Sequence, residues 1–274
     1  MEEWTGVLRL NAEERSGKTV ARDVYFHGAF KVMRPIYHDD SGQACYYILN
    51  PGGGYLDGDR YLMQVSLEEG ARLTLTTQAA TKIYKTPKKP AYQEVEIRLK
   101  KGSYLEYITD PIIGYEHARY KQKTVIWMEK GANLLYSEIV TSGWSPDGRQ
   151  FSYDLLQFMN EIYLDGVLAI HDHIKLDPAA HRMTSLGFME GYSHLGSMMM
   201  ISEQVDQDFL DRLYLEIDGK YEDCRIGLSL LPVSGLMARV LANSTQTIEA
   251  IFACCHRFIN QSIFNTTPSF LRKY

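Results

Sequence analysis

A mainly β protein of stacked strands, with about two helices toward its C-terminus, is what this sequence predicts, and three observations predict it. Alternating apolar segments recur in pairs about a charged glycine turn. An Asp-Gly turn continues the same pattern. After Pro178 the apolar spacing changes from two residues to that of a helix.

The paired segments occupy residues 65–75, 97–107 and 126–136, with the turns Glu68-Glu69-Gly70, Lys100-Lys101-Gly102 and Glu129-Lys130-Gly131. Their glycines lie roughly 30 residues apart, a repeat-architecture period. Period-2 alternation on either side of each turn argues for half-buried strands. Glycine supplies the positive φ that a tight turn demands, and the charged neighbours keep the turn in water. A looser fourth unit at residues 162–170 turns at Asp165-Gly166, a strong hairpin signal. Beyond Pro178, residues 202–216 place Phe209, Leu210, Leu213 and Val205 on one helical face. Residues 244–264 place Ile248, Ile251, Phe252, Cys255, Phe258 and Ile259 on another, behind an Asn-Ser-Thr start suited to capping. Between them residues 225–234 read as a strand closed by Pro232.

With 274 residues, 45% hydrophobic and 23% charged, the chain has the composition of a globular protein with a sizeable core. No Pro/Ser-rich linker divides it, so residues 1–274 are expected to form one domain, β-rich over 1–180 and mixed strand and helix over 181–274. A net charge of -5 and the lack of a basic stripe argue against nucleic acid as a partner. The acidic N-terminus and the absence of a long apolar run predict a cytoplasmic protein that does not engage a membrane. Cys45, Cys224, Cys254 and Cys255 contain no C-x-x-C and are expected to be buried free thiols.

Few residues signal catalysis. Ser16-Gly17-Lys18-Thr19 resembles the end of a phosphate-binding loop, but the first glycine of that motif is replaced by Ala12, so a surface turn is expected. The glycine-rich stretch at residues 50–59 lacks a following helix, and its Asp57 and Asp59 lack the acidic residue that ends a calcium loop. It reads as a turn between strands. His171 and His173 share one face of a strand and are weak metal candidates, short of the third and fourth ligands of a tight site. No G-x-S-x-G elbow is present. The residues therefore point to a protein that is not an enzyme. A carbohydrate-binding β module and a hydrolase using His171 and His173 are the competing readings.

Strand parity supplies a sharper inference. Leu73 and Leu75 lead to Thr77, Leu105 and Tyr107 to Thr109, Leu134 and Tyr136 to Glu138, and Leu168 and Ile170 to Asp172, each a polar group on an apolar parity. A carboxylate facing a dry core costs several kcal/mol or takes up a proton. That face is expected to be wet, paired or in contact with a cation, and oxygen donors suit weak, exchangeable divalent contacts.

The string Asn50-Pro51-Gly52-Gly53-Gly54 with Gly58-Asp59, followed by residues 71–84 (ARLTLTTQAATKIY), resembles the urease accessory protein UreD family, called UreH in some systems. Leu105-Glu106-Tyr107 with Asp110-Pro111, residues 134–138, and Asp165-Gly166 with Asp172 add to the likeness, which covers residues 15–180 well and the rest weakly. The resemblance implies a β-helix-like or distorted β-sandwich fold and a nonenzymatic chaperone of nickel insertion. It implies the urease apoprotein and a UreF-type protein as partners, a UreG-type GTPase recruited indirectly, and room for a homodimer within the complex. No tightly bound cofactor is implied, only transient nickel. By matching position, the metal-path candidates are Thr81, Glu138 and Asp172, with Thr77 beside them. The ending at residues 268–274 and the Met198-Met199-Met200 run depart from the family pattern; core packing is the expected role of the methionines.

Overall fold

The computed structural model describes residues 3–266 and Leu271. The first strand, β1 (Gly6–Arg15), turns at Ser16-Gly17 into antiparallel β2 (Lys18–Gly28), so the Ser-Gly-Lys-Thr tetrad is a hairpin turn with no helix behind it. Short β3 (Lys31–Val32) and β4 (Ala44–Leu49) lead into the repeating part.

From there the chain winds in coils that cross one sheet, turn, cross a second sheet and return along a short third strand. The first coil is β5 (Arg60–Leu67), β6 (Arg72–Thr77) and β7 (Thr81–Ile83), and the second is β8 (Ala91–Leu99), β9 (Tyr104–Ile108) and β10 (Ile112–Gly114). The third has β11 (Arg119–Met128) and β12 (Asn133–Thr141), after which residues 142–154 lead back to the first sheet at β13 (Leu155–Leu164). Strands β1, β5, β8, β11 and β13 pair in parallel in one sheet, and β4, β6, β9 and β12 pair in parallel in the other. A narrow third row joins β7 to β10.

The repeat glycines are the corners of this stack. Gly70, Gly102 and Gly131 have φ of 72°, 72° and 82°, a region that side-chain-bearing residues rarely adopt. The corners also bond to one another, Gly70 N to Lys101 O at 3.3 Å and Gly102 N to Gly131 O at 3.1 Å. Each corner thus joins strands of different sheets, unlike Asp165-Gly166, which closes a true hairpin between β13 and β14 (Val167–Leu176). That hairpin contains a bulge opposite Ile162 and Tyr163, which carries Leu168 out to solvent. Leu168, expected on the inward parity, is therefore 48% exposed, while Ile170 keeps its inward place at 6%.

The last third of the chain extends and covers the second sheet. Strand β15 (His194–Ile201) pairs with β12, and β16 (Cys224–Leu230) and β17 (Gly235–Ala242) continue the sheet beyond it. Helix α1 (Gln207–Ile217) starts at an Asp206 cap that accepts from Phe209 N at 2.9 Å, and α2 (Thr245–Ile259) starts at Ser244, which accepts from Thr247 N at 3.1 Å. A π-turn over Asn260–Phe264 follows α2. The first helix begins five residues later than residue 202 because Asp206 is the better-placed cap; Val205 is buried but precedes the helix. Residues 225–234 do contain a strand, β16, ending before Pro232.

The second sheet is buried on both sides. Leu134 and Tyr136 face the coil interior, whereas Leu135 and Ile139 face the helices, so β12 loses the clean alternation that marks a one-sided strand. Met198, Met199 and Met200, each at most 2% exposed, fill both faces of β15. Helix α2 buries Ile248, Ile251, Phe252, Cys255 and Ile259 on this sheet, on the order of 10 kcal/mol of gross apolar burial before chain entropy is subtracted. It comes this close because β15 has a glycine beneath it: a Cβ on Gly196 would lie 2.8 Å from the Phe252 ring and closer still to Ile248. Gly196→Ala is expected to destabilise the protein by about 1–3 kcal/mol through overpacking, read as a lower denaturant midpoint. Of the four free thiols, Cys45 and Cys255 are buried, but Cys224 and Cys254 are half-exposed, since they lie at the margins of the second cluster.

Candidate functional site

Two polar networks lie inside this apolar framework, one on each face of the second sheet. The interior one begins at an open mouth. The turn at residues 50–54 packs against β7 so closely that a Cβ on Gly54 would lie 2.5 Å from Lys82 O, and Tyr55 N bonds that same oxygen at 2.8 Å. Between this turn and residues 77–82 opens a pocket of about 380 Å³. A narrower space of about 30 Å³, room for roughly one water, continues inward and shares Thr77 and Thr81 with the mouth; Gln93, Thr109, Asp110, Tyr120 and Gln122 also line it. Thr77 Oγ1 donates to Asp110 Oδ2 at 2.8 Å and accepts from Asp110 N at 2.7 Å.

Beyond that space the side chains link directly. Tyr55 OH donates to Gln93 Oε1 at 2.5 Å, and Tyr120 OH lies 3.2 Å from Gln93 Oε1 and 2.9 Å from Gln122 Oε1. Gln122 Nε2 donates to Glu138 Oε1 and approaches Tyr136 OH at 3.2 Å. Asn160 Nδ2 stands 3.5 Å from Glu138 Oε2 and 3.5 Å from Asp172 Oδ2, and Asp172 is paired with Arg239. The track therefore crosses the stack from the first coil to the C-terminal strands.

Glu138 is 3% exposed. Burial pushes its carboxyl pKa up; hydrogen bonds from Tyr136, Gln122 and Asn160 oppose the shift, and the Asp172 charge adds to it. Tyr120 and Tyr136 are held well above the ordinary phenol range, chiefly by burial, so they remain neutral hydrogen-bonding groups at any physiological pH.

The second network lies under α2. Glu106, 2% exposed, accepts from Thr74 Oγ1 at 2.7 Å and Tyr104 OH at 2.9 Å, meets His256 Nε2 at 2.7 Å, and accepts from Asn260 Nδ2 at 3.2 Å. Burial, the largest single influence, pushes its pKa up. The His256 charge, with hydrogen bonds from His256, Thr74 and Tyr104, outweighs burial and lowers the value to about 2. A fully paired carboxylate of this kind ties the C-terminal helix to the sheet.

The structure brings the expected candidates together unevenly. Thr77 and Thr81 lie at the mouth, Glu138 in the middle and Asp172 at the far end of the interior track. His171 and His173 point to the opposite, exposed side of β14, with ring centroids 6.3 Å apart and His173 Nε2 2.9 Å from Gln157 Nε2. Among the described residues no group of three or more His, Cys, Asp and Glu converges on a metal-sized site. Asp57 and Asp59 serve the loop: Asp57 accepts from Lys88 N and Lys89 N at 2.9 and 3.0 Å, and Asp59 from Leu56 N at 2.7 Å. Sequence reasoning missed Gln93, Gln122, Asn160 and Arg239. The first three stand on the inward parity of β8, β11 and β13, so the count used after each turn would have found them before it.

Fold and site together define a strand-stack scaffold with a buried oxygen-rich track in the apolar interior between its two sheets. A family model described as UreD urease accessory protein matches residues 5–273. A protein named urease accessory protein UreD from Lachnoclostridium phytofermentans is 50% identical over 274 residues, the full length of both chains. Proteins of the same name from Staphylococcus epidermidis and Staphylococcus aureus are 43% and 41% identical, over 99% and 100% of this chain and 98% and 99% of theirs. The chain belongs to the UreD urease accessory protein family, and its role lies in urease maturation. Among the described residues no helix is long and apolar enough to cross a membrane.

Proposed function

We propose that this chain assists nickel insertion into the urease apoprotein as a nonenzymatic scaffold, and that the interior track is the path of the metal. The supporting observation is Glu138, a carboxylate placed in a protein interior and linked on both sides to further oxygen- and nitrogen-bearing side chains. A buried carboxyl is costly to maintain, and this one stands in line with Asn160 and Asp172. Oxygen and amide ligands in sequence bind a divalent ion weakly enough to release it. Thr77, Thr81 and Asp110 at the mouth would accept the ion, Glu138 would hold it midway, and Asp172 would pass it on.

In this reading the protein works in the cytoplasm between the urease apoprotein and a UreF-type protein, through which a UreG-type GTPase joins the complex. The test is replacement of Glu138 or Asp172 by Ala. Each variant is expected to elute with its partners on size exclusion as the parent does, and to lower urease activation tenfold or more, since losing even a supporting partner of a metal ligand costs about 10- to 100-fold. Normal activation by both variants would end the conduit reading and leave the family assignment intact.

A further inference from the structure

Beside Glu138 the two sheets bring five polar side chains from five strands into one cross-section. Glu138, Ser197 and Arg239 are lateral neighbours in register on β12, β15 and β17. Asn160 and Asp172 are register partners on β13 and β14, across the interior. Asn160 is 2% exposed, and its Nδ2 is shared at 3.5 Å between Glu138 and Asp172, a long distance for a hydrogen bond. Its Oδ1 is buried with no hydrogen-bond partner among the described residues.

An orphaned buried oxygen in a native core calls for a physical explanation, an absent ion among them. Half a turn of the amide exchanges its nitrogen and oxygen and directs Oδ1 toward the two carboxylates. That orientation is repulsive while the gap is empty and attractive once a cation fills it. Two carboxylates and an amide oxygen then form a three-oxygen donor set of the kind hard and borderline divalent ions accept. The cation now serving this end is the Arg239 guanidinium, which donates to both Asp172 and Ser197. Its side chain is 31% exposed, so it reaches the track from the solvent side and can withdraw without unfolding the strand.

We propose that Arg239 is a displaceable counter-ion that closes the far end of the track, and that a divalent cation seats between Glu138, Asn160 and Asp172 when the guanidinium swings out. The proposal rests on the conduit reading and adds to it a closed and an open state. The exchange leaves Asp172 with a cation in both states and so avoids the broken pair that is so unfavourable in an interior. It also favours a doubly charged ion over sodium or potassium, because only a divalent ion brings more charge to the same oxygens than the guanidinium it replaces.

Equilibrium dialysis of the full chain against Ni²⁺ tests this, with circular dichroism melts confirming that each variant is folded. Arg239→Met is expected to bind Ni²⁺ roughly tenfold more tightly than the parent, the scale of removing one charge-assisted competitor. Adding Asp172→Asn or Asn160→Leu is expected to erase the gain. Arg239→Gln serves in the same comparison should the methionine variant fail to fold. Equal Ni²⁺ binding by the parent and a folded Arg239 variant overturns the proposal, as does a gain that survives Asp172→Asn. Urease activation by Glu138→Gln separates the two ideas: normal activation beside a gained site supports the gate and removes the conduit, whereas lost activation without a gained site does the reverse.

Discussion

Glu106→Ala is expected to lower the free energy of unfolding by about 3–5 kcal/mol, the range for removing one member of a buried ion pair. It leaves His256, Thr74, Tyr104 and Asn260 aimed at an empty position under α2. Hydrogen exchange should show the loss first in residues 245–264, since Glu106 is their polar anchor while the apolar face of α2 still adheres. The pH dependence follows from the lowered pKa. A group with an ordinary value of 4.5 and a folded value of about 2 contributes stability that is fully present above 4.5 and is lost as pH falls toward 2. The 2.5-unit difference corresponds to about 3 kcal/mol. Denaturant midpoints measured from pH 6 to pH 2.5 should therefore fall more steeply for the parent than for Glu106→Gln. Parallel curves would show that Glu106 does not tie the helix down.

Glu138→Gln is expected to act in the opposite sense on stability and still impair function. The folded pKa of Glu138 is raised by burial, so its contribution is full below the unfolded value of 4.5 and is lost as pH rises through the folded value. A neutral amide of the same shape removes the carboxylate while its oxygen still accepts from Gln122 Nε2 and its NH2 donates to Asn160 Oδ1 once the Asn160 amide turns over. At pH 7 the variant should equal or exceed the parent by about 1 kcal/mol, with urease activation reduced at least tenfold, the lower end of the roughly 10- to 100-fold cost of losing even a supporting partner of a metal ligand. A stable, assembled but inactive variant is the signature of a carboxylate kept for its chemistry at a cost to the fold. A variant that loses stability and activity together would instead mark Glu138 as structural.

The repeat made the stacked-strand fold legible because its glycines sit at corners that only a residue tolerant of positive φ can occupy, and each corner shows in the sequence as a charged pair plus Gly. Glu138 and Asp172 were legible for a related reason: strand alternation is strict, so a carboxylate at an apolar count stands out. Strand β15 was not, because Met198-Met199-Met200 is buried on both faces and presents no alternation. Arg239 was hidden by its distance in sequence; it reaches Asp172 only because β17 joins the sheet through β15 and β12. Glu106 lies on the outward parity of β9, and the helix that covers it, with His256, is 150 residues away in the chain. Leu168 misled because a single bulged position moves a side chain to the other face.

The nickel content of urease matured in the presence of the Glu138→Gln variant, purified in its assembled complex, tests the central claim most directly. The metal track predicts active sites filled to about a tenth or less of the parent level, since losing even a supporting partner of a metal ligand costs about tenfold or more. A full complement of nickel would contradict it.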